Sequence, residues 1–285
     1  MRTNKKNHGT VLITGASSGV GRELALEFGA RARTLVLAAR RLDRLEQLRE
    51  QLLGRYPGLN VIVLAADLSD EHEAERLLAK VSEQAGAVDV LVNNAGLGDS
   101  VLFDRAKWAR TRQILQTNIF AVAQLTSGLV PGMVERRRGG VLNIGSGAGL
   151  TVLPNAAAYV GSKHFMAGFS EALRADLSGT GVTVTQVCPG PVDSEFDEVS
   201  GSPGGMVGAP PQFFRISAAQ CAREALAGFE CGKAQVFPGR AYRLVMRVLP
   251  LLPLWLRRKQ AANAAARLRA ARSVTDDTAP FTNHS

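Results

Sequence analysis

The feature that most constrains this chain is a regular alternation of short apolar runs with longer amphipathic stretches. Seven runs are rich in Val, Ile, Leu and Ala with little polar alternation, which is typical of strands covered on both faces. Leucines at helical spacing mark stretches between them, such as residues 41–53 and 71–84. The pattern predicts an α/β fold, a doubly wound, Rossmann-like parallel sheet of seven strands with helices on both faces. The predicted strands are residues 10–14, 34–39, 60–65, 88–92, 140–144, 182–187 and 234–237.

Composition narrows the class of protein. With 285 residues, 46% of them hydrophobic, the chain is long enough for one large water-soluble domain. The net charge of +9 is concentrated in residues 240–272, which hold nine Lys or Arg and no acid. The nearly neutral body therefore offers no general surface for nucleic acid. Three cysteines and four scattered histidines lack ligand spacing, so we expect no structural metal and a reducing, cytoplasmic location without an export signal.

The basic segment sets the predicted domain organisation. Residues 1–239 are predicted to form one domain, residues 240–272 a basic and apolar C-terminal extension, and residues 273–285 a flexible tail. The centre of the extension, residues 248–256, is apolar throughout and contains two prolines, which break a helix. It is too short to span a bilayer. Three interpretations stay open, a cover over the substrate cleft, a subunit interface or a peripheral membrane-surface segment.

A glycine-rich turn follows the first predicted strand and opens a helix. Its sequence is TGASSGVG, and such glycines let the backbone approach a pyrophosphate and direct the helix N-terminus at it. A tight structural turn has a similar composition, but the strand before it and the helix after it favour dinucleotide binding. The candidate contacts in this turn are Gly15, Ser17, Ser18, Gly19, Val20 and Gly21.

The residues after the second and third strands bear on the choice of cofactor. Arg40 and Arg41 stand where dinucleotide-binding proteins often carry an acid that binds the ribose 2′-OH. Because a guanidinium binds a 2′-phosphate, the pair favours NADP(H) over NAD(H). The alternative is that both are solvated charges at a helix start. Asp67, followed by Leu68, is a candidate acceptor for the adenine amino group or, equally, a helix-capping acid.

Three polar residues suggest chemistry further along the chain. Ser146 follows the fifth strand, and Tyr159 and Lys163, four residues apart, share one face of a predicted helix. An ammonium group beside a phenol lowers the phenol pKa from about 10 towards neutrality, giving a usable proton donor and acceptor. Ser146 is a candidate to hydrogen-bond the same substrate oxygen.

Together these motifs resemble the short-chain dehydrogenase/reductase superfamily over about residues 8–239. The glycine turn, Asn-Asn-Ala-Gly after strand four, a serine after strand five, Tyr-x-x-x-Lys, and Cys-Pro-Gly-Pro-Val after strand six follow in that family's order. The resemblance implies the sheet order 3-2-1-4-5-6-7 and a catalytic tetrad of Asn118, Ser146, Tyr159 and Lys163. It also implies cofactor contacts from Asn94, Ala95, Gly96, Tyr159, Lys163, Pro189, Gly190, Val192 and Ser194.

The resemblance further implies an oxidoreductase that interconverts a carbonyl and a secondary alcohol with NADP(H). Tyr159 would pass a proton to the carbonyl oxygen as hydride leaves the nicotinamide, while Ser146 orients that oxygen. Lys163 would hold the nicotinamide ribose, and Asn118 would support a water that links Lys163 to solvent. The family also implies a small-molecule substrate and a homo-oligomer, a dimer or a tetramer.

The loop after strand six points to an apolar carbonyl compound or alcohol as substrate. This loop, residues 195–216, is Gly/Pro-rich from 200 to 211, where it is expected to be mobile, and offers Met206, Val207, Phe213 and Phe214. The alternative function is a catalytically silent, dinucleotide-binding regulatory or scaffold protein. The intact tetrad argues against that alternative.

Overall fold

A parallel sheet of seven strands forms the centre of the computed structural model, which describes residues 7–196, 200 and 214–276. The sheet order is β3-β2-β1-β4-β5-β6-β9, so the predicted fold and order are confirmed. The seventh sheet strand is β9 because two short strands, paired with each other, precede it. The strands are β1 Thr10–Thr14, β2 Thr34–Ala39, β3 Asn60–Ala65, β4 Val90–Asn93, β5 Gly139–Ile144, β6 Val182–Val187, β7 Val192–Asp193, β8 Ile216–Ser217 and β9 Gln235–Val236.

Helices cover both faces of this sheet. Alternate residues of β1 point to opposite sides, so Val11 and Ile13 join the core under α1, α2 and α7, and Leu12 joins the core under α3 and α5. All residues of β1 and β2 are buried, which explains why the sequence shows no polar alternation there. The helices are α1 Gly19–Gly29, α2 Leu42–Arg55, α3 Glu73–Ala85, α4 Trp108–Leu115, α5 Ala121–Glu135, α6 Ala157–Asp176, α7 Ala218–Glu230, α8 Arg240–Val248 and α9 Leu254–Asp276.

A buried polar network fixes the middle of the sheet to its helices. The Asn93 side chain on β4 donates to the Asn143 side-chain oxygen on β5 at 2.9 Å and to the Thr126 hydroxyl on α5 at 3.2 Å. The Asn143 amide in turn donates to the Ser170 hydroxyl on α6 at 2.9 Å. Buried polar groups stabilise a fold only when they are hydrogen-bonded, so this network sets the relative positions of β4, β5 and α6.

The strand order reverses between β1 and β4, which are neighbours in the sheet. Open α/β sheets bind ligands at such a point, outside the carboxyl ends of the strands. The glycine turn after β1 and the Asn-Asn-Ala-Gly turn after β4 therefore meet at one edge.

Two helices form the C-terminal extension. α8 begins at Arg240, one residue after the predicted domain boundary, and the Leu249–Leu251 turn and Pro253 separate it from α9. α9 continues to Asp276, so the tail predicted from residue 273 begins within a helix, and residues 277–285 lie outside the described part. The predicted mobile loop also lies outside it except for Ser200, as do Met206, Val207 and Phe213. None of the described helices has both the length and the hydropathy to cross a bilayer.

Candidate active site

One cavity of about 670 Å³ opens at the carboxyl edge of the sheet. It gathers residues from every predicted motif. Of the predicted site residues, only Gly21 and Asn118 are absent from its lining. The predicted residues that line it are Gly15, Ser17, Ser18, Gly19, Val20, Arg40, Arg41, Asp67, Leu68, Asn94, Ala95, Gly96, Ser146, Tyr159, Lys163, Pro189, Gly190, Val192 and Ser194.

The glycine turn forms a cradle for an anion. Gly15 and Gly19 adopt left-handed backbone conformations, with φ of 65° and 55°, which L side chains rarely tolerate. Gly21 packs against the Asn94 side chain and leaves no room for a Cβ, which would lie 2.3 Å from the Asn94 side-chain nitrogen. Within the described residues, no side chain caps the first turn of α1 and no acid lies in it. The helix N-terminus therefore presents free N–H groups to the cavity.

Two side chains join the glycine turn to the neighbouring turn after β4. The Thr14 hydroxyl accepts hydrogen bonds from the backbone N–H groups of Asn94 and Ala95, both at 3.1 Å. The Asn94 side chain donates to the backbone oxygens of Thr14 at 2.9 Å and Gly15 at 3.1 Å. Thr14 was not among the predicted site residues, and its role is to hold the two turns together.

Arg41 is held at the rim of the glycine turn. Its guanidinium donates to the hydroxyls of Ser18 at 2.9 Å and Ser17 at 3.3 Å, and to a Glu195 carboxylate oxygen at 2.9 Å. Arg44 binds the other oxygen of the same carboxylate. The hydrogen bonds from Arg41 and Arg44 lower the pKa of Glu195 from its ordinary value. Two hydroxyls that follow β1 and two guanidinium groups that follow β2 thus lie together at the rim, with the Glu195 carboxylate between the two guanidinium groups.

Arg40 and Asp67 lie on the same part of the cavity lining. Arg40 is exposed, whereas Arg41 is half-buried and is the N-cap of α2. Asp67 accepts from the backbone N–H of Ser69 at 3.1 Å and from its hydroxyl at 2.8 Å. The N-cap of α3 is His72, so the interpretation of Asp67 as the cap of that helix is wrong.

Tyr159 and Lys163 project from α6 into the opposite end of the cavity, as their spacing predicts. The Lys163 ammonium nitrogen lies 5.7 Å from the centre of the Tyr159 ring and donates to the Ile144 backbone oxygen at 3.0 Å. Burial lowers the pKa of Lys163 to about 8, although the nearby Cys188 thiol opposes this shift. The Lys163 ammonium group therefore titrates close to physiological pH.

Ser146 reaches the same end of the cavity from β5. It caps the short helical turn Gly147–Leu150, and its hydroxyl accepts from the Ala148 backbone N–H at 3.1 Å. The Gly147 N–H donates to the Pro189 backbone oxygen at 2.9 Å, which ties this turn to the one after β6. Ser146 and Tyr159 both line the cavity.

Asn118 lies behind the cavity wall. It is fully buried in a π-helical turn, Gln116–Phe120, between α4 and α5. Its side chain accepts from the Leu97 N–H at 2.8 Å and donates to the Leu97 oxygen and the Ser162 hydroxyl, both at 2.9 Å. A Cβ on Gly96 would lie 3.6 Å from both the Asn118 oxygen and the Lys163 nitrogen. Asn118 thus links the turn after β4 to α6 close to Lys163.

The sequence motifs miss a second wall of the cavity. α8 and α9 each turn one face into it, at the i, i+3, i+4, i+7 spacing of a helix stripe. This helical spacing can be read from the sequence, but the sequence does not show which part of the protein the stripe packs against. We call these residues the C-terminal wall, and they are Tyr242, Val245, Met246, Leu249, Arg257, Gln260, Ala261 and Ala264.

Within the C-terminal wall, Tyr242 lies against Gly147, the residue that follows Ser146. A Cβ on Gly147 would lie 1.6 Å from the Tyr242 hydroxyl oxygen, and one on Gly190 would lie 2.8 Å from its ring. Burial raises the pKa of Tyr242, and its proximity to Cys188 and Tyr159 adds to the shift. Its hydroxyl therefore stays protonated beside the reacting groups.

The outer side of the extension differs from its inner side. Arg243 anchors α8 through the Glu224 carboxylate at 2.7 Å, and Arg269 anchors α9 through both oxygens of Asp104 at 2.9 and 3.0 Å. In the apolar run 248–256, Leu249 lines the cavity. The exposed large apolar residues of that run are Val248, Leu251, Leu252, Leu254 and Trp255. The extension thus covers the cleft with one face and leaves an apolar face open.

Comparisons with known proteins agree with this geometry. Residues 9–203 match the sequence model of the short chain dehydrogenases. An uncharacterized oxidoreductase of Myxococcus xanthus is 39% identical over 194 residues, covering 68% of this chain and 76% of that protein. A sulfoacetaldehyde reductase of Chromohalobacter salexigens is 39% identical over 191 residues, covering 65% of this chain and 73% of that protein.

Solved structures extend the comparison to the whole chain. A short-chain dehydrogenase from Sphingobium yanoikuyae in complex with NADPH has a TM-score of 0.73 and 27% identity. The alignment covers 97% of this chain and 98% of that one. Structures that share only the fold, below 25% identity, contain an NADP derivative in one case and NAD in another.

Proposed function

Because the chain belongs to the short-chain dehydrogenase/reductase family, we propose that it is an NADP(H)-dependent oxidoreductase that interconverts a carbonyl and a secondary alcohol on an apolar substrate. The observation that carries the proposal is that Ser146, Tyr159 and Lys163 share one cavity with the glycine turn. Proton transfer and dinucleotide binding therefore meet in one place.

The cavity wall fits a nicotinamide dinucleotide. The left-handed Gly15 and Gly19 and the uncapped start of α1 suit a pyrophosphate. Arg41, with the hydroxyls of Ser17 and Ser18, suits the 2′-phosphate that distinguishes NADP(H) from NAD(H). A phosphate at Arg41 would take the place of the Glu195 carboxylate as acceptor. Arg40 adds a further positive charge at the rim, and Asp67 would accept from the adenine amino group.

The reacting groups have separate tasks in this proposal. When bound, the reduced nicotinamide supplies the hydride that the carbonyl carbon accepts. Tyr159 donates its hydroxyl proton to the carbonyl oxygen, and the Ser146 hydroxyl hydrogen-bonds the same oxygen. The Lys163 ammonium stabilises the phenolate that Tyr159 becomes, and it does so strongly because both groups are buried away from water. Alcohol oxidation uses the same groups in reverse.

A cofactor-coupled screen tests the proposal. Aldehydes, ketones and secondary alcohols are offered with NADPH and NADH in parallel, or with the oxidised cofactors for the alcohols, while the absorbance of the reduced nicotinamide is followed. We expect turnover with NADPH, less with NADH, and none in Tyr159→Phe. Tight NADPH binding without turnover of any compound would instead favour the catalytically silent dinucleotide-binding protein.

The open apolar face of the extension favours an accessory role at a membrane surface. Leu251 is 79% and Trp255 66% exposed, and the basic residues Arg247, Arg258 and Lys259 lie close to them in sequence. A tryptophan and leucines enter the headgroup boundary, while each basic residue adds about 1 kcal/mol of attraction to anionic lipid. We propose a salt-sensitive, peripheral contact that brings the cavity to lipid-soluble substrates.

Sedimentation with anionic liposomes tests this contact. The protein should pellet at low salt and be released at high salt, and Trp255→Glu should abolish pelleting. Trp108→Glu is the matched control, because Trp108 is 70% exposed but lies outside the extension. A wild-type protein that stays in the supernatant at low salt would contradict the contact.

A further inference from the structure

The face of α9 that lines the cavity is polar towards one end and apolar towards the other. Arg257 and Gln260 supply polar groups, while Ala261 and Ala264, on the same stripe, supply small apolar ones. Small side chains leave space for a ligand, and the two polar residues stand towards the start of the helix. This part of the C-terminal wall therefore offers a polar end and an apolar stretch to whatever occupies it.

Among the described residues, Arg257 has no carboxylate partner, in contrast to Arg41 and Arg215, which also line the cavity. The Arg257 Nε is buried and has no hydrogen-bond partner among the described residues, and none of their carboxylates pairs with its guanidinium. By contrast, Arg41 binds Glu195, and Arg215 lies 3.7 Å from an Asp193 carboxylate oxygen. Since Arg257 is half-buried and lines the cavity, an anion bound there would give its guanidinium an acceptor that the described residues do not provide.

The surroundings of Arg257 favour an anion. Within the described cavity lining, the acids are Asp67 and Glu195, both of them in the part of the lining that suits the adenosine end of the cofactor. The C-terminal wall itself contains no acid. Met246 on α8 and Leu249 in the turn that follows it add apolar surface to that wall. A ligand that complements it carries one negative group and an apolar body.

We propose that Arg257, assisted by the Gln260 amide, binds a carboxylate on the substrate. A guanidinium holds a carboxylate through two parallel hydrogen bonds, which gives orientation as well as affinity. The substrate class is therefore an apolar oxo acid, whose carbonyl lies at Tyr159 and whose carboxylate lies at Arg257. This inference rests on the proposed function and adds an anion subsite to it.

Matched substrate pairs test the subsite. Straight-chain oxo acids of increasing length, each with its ketone on the penultimate carbon, are compared with their primary amides, and kcat/KM is measured for each pair. Hydrogen bonds to charged groups correspond to a preference of about ten- to a hundredfold, which we expect for the acid at the chain length that spans the two groups. Arg257→Gln should remove the preference. Arg258→Gln, which changes an exposed neighbour outside the cavity lining, should retain it.

Equal turnover of acid and amide at every chain length would overturn the subsite, as would equal losses in Arg257→Gln and Arg258→Gln. Calorimetric binding of saturated carboxylic acids, which contain no reducible carbonyl, keeps the subsite separate from the reaction. Binding that weakens about ten- to a hundredfold in Arg257→Gln supports the subsite even if no carbonyl is turned over, which would refute only the proposed function. Turnover without any acid preference would refute only the subsite.

Discussion

Two walls meet at the cavity, the C-terminal wall and a sheet-edge wall made by the turns after β1, β2, β4 and β5 together with the start of α6. The sheet-edge wall is tied into the core by groups such as Thr14 and Asn118, which are buried and hydrogen-bonded on several sides. The C-terminal wall belongs to helices whose outer faces are open to solvent and whose anchors include the Arg243–Glu224 and Arg269–Asp104 ion pairs.

This difference in anchoring between the two walls corresponds to two requirements of an enzyme, proton transfer and substrate selection. Proton transfer needs groups held to within a fraction of an ångström, and a packed sheet edge provides that rigidity. Selection of a substrate tolerates a peripheral element, because single apolar contacts discriminate by only about 1–3 kcal/mol. We therefore expect changes in the sheet-edge wall to affect rate and cofactor, and changes in the C-terminal wall to affect the choice of substrate.

The largest effect is expected at Tyr159. Tyr159→Phe removes the proton that the carbonyl oxygen receives, and general acid catalysis contributes about 10² to 10⁴ in rate. Turnover should fall by at least that range, while the affinity for NADPH, measured by fluorescence titration, stays within about twofold, since the glycine turn and the Arg41 guanidinium are unchanged. A variant that keeps more than about a tenth of the wild-type kcat would remove Tyr159 from proton transfer.

Arg41 tests the cofactor side of the same wall. Arg41→Ala removes the guanidinium that Ser17 and Ser18 hold, so NADPH should bind about ten- to a hundredfold more weakly while NADH is little changed. Arg40→Asp should also narrow the preference for NADPH, by charge repulsion.

Arg44→Ala is the control for Arg41. Arg44 shares the Glu195 carboxylate but does not line the cavity, so this variant should keep the NADPH affinity. Equal affinities of the wild-type protein for NADPH and NADH would show that neither Arg40 nor Arg41 recognises the 2′-phosphate.

The contact between the two walls can be broken at Gly147. Gly147→Ala places a Cβ on the Tyr242 hydroxyl, and overpacking of this kind costs about 1–3 kcal/mol in the free energy of unfolding. Tyr242→Phe removes that oxygen, so the double variant should recover part of the loss in denaturant unfolding. Additive losses in the double variant would show that the two residues do not touch.

The smallest effect is expected from pH. Because the pKa of Lys163 is lowered to about 8, its ammonium is present below that pH and is lost as the pH rises through it. NADPH affinity should therefore weaken by up to about tenfold between pH 7 and pH 9. Lys163→Met should bind more weakly throughout and show a flat profile over this range. A wild-type profile as flat as that of the variant would contradict the role of the charge.

The two walls also differ in how far the sequence predicts them. Local signals, such as glycines in a turn and Tyr-x-x-x-Lys on one helix face, single out residues that line one cavity in the structure. These local signals do not show whether Arg40 or Arg41 reaches the glycine turn. That depends on where α2 begins, and in the structure the Arg41 guanidinium donates to the Ser18 hydroxyl.

The C-terminal wall shows the other limit. Spacing identifies Tyr242 and Met246 as one face of a helix, but a cleft cover, an interface and a membrane segment all need such a face. The contact of Tyr242 with Gly147 and Gly190, which are distant from it in the sequence, is what turns this face to the cavity. Only tertiary structure brings these residues together.

The separation of tasks between the walls is tested most directly by internal competition between a small and a bulky ketone in one reaction. Ser146→Ala should lower the turnover of both and leave the product ratio unchanged. Met246→Ala, which removes a buried side chain from the C-terminal wall, should shift the ratio towards the bulky ketone by about tenfold. A ratio that shifts in Ser146→Ala and stays constant in Met246→Ala would contradict the separation.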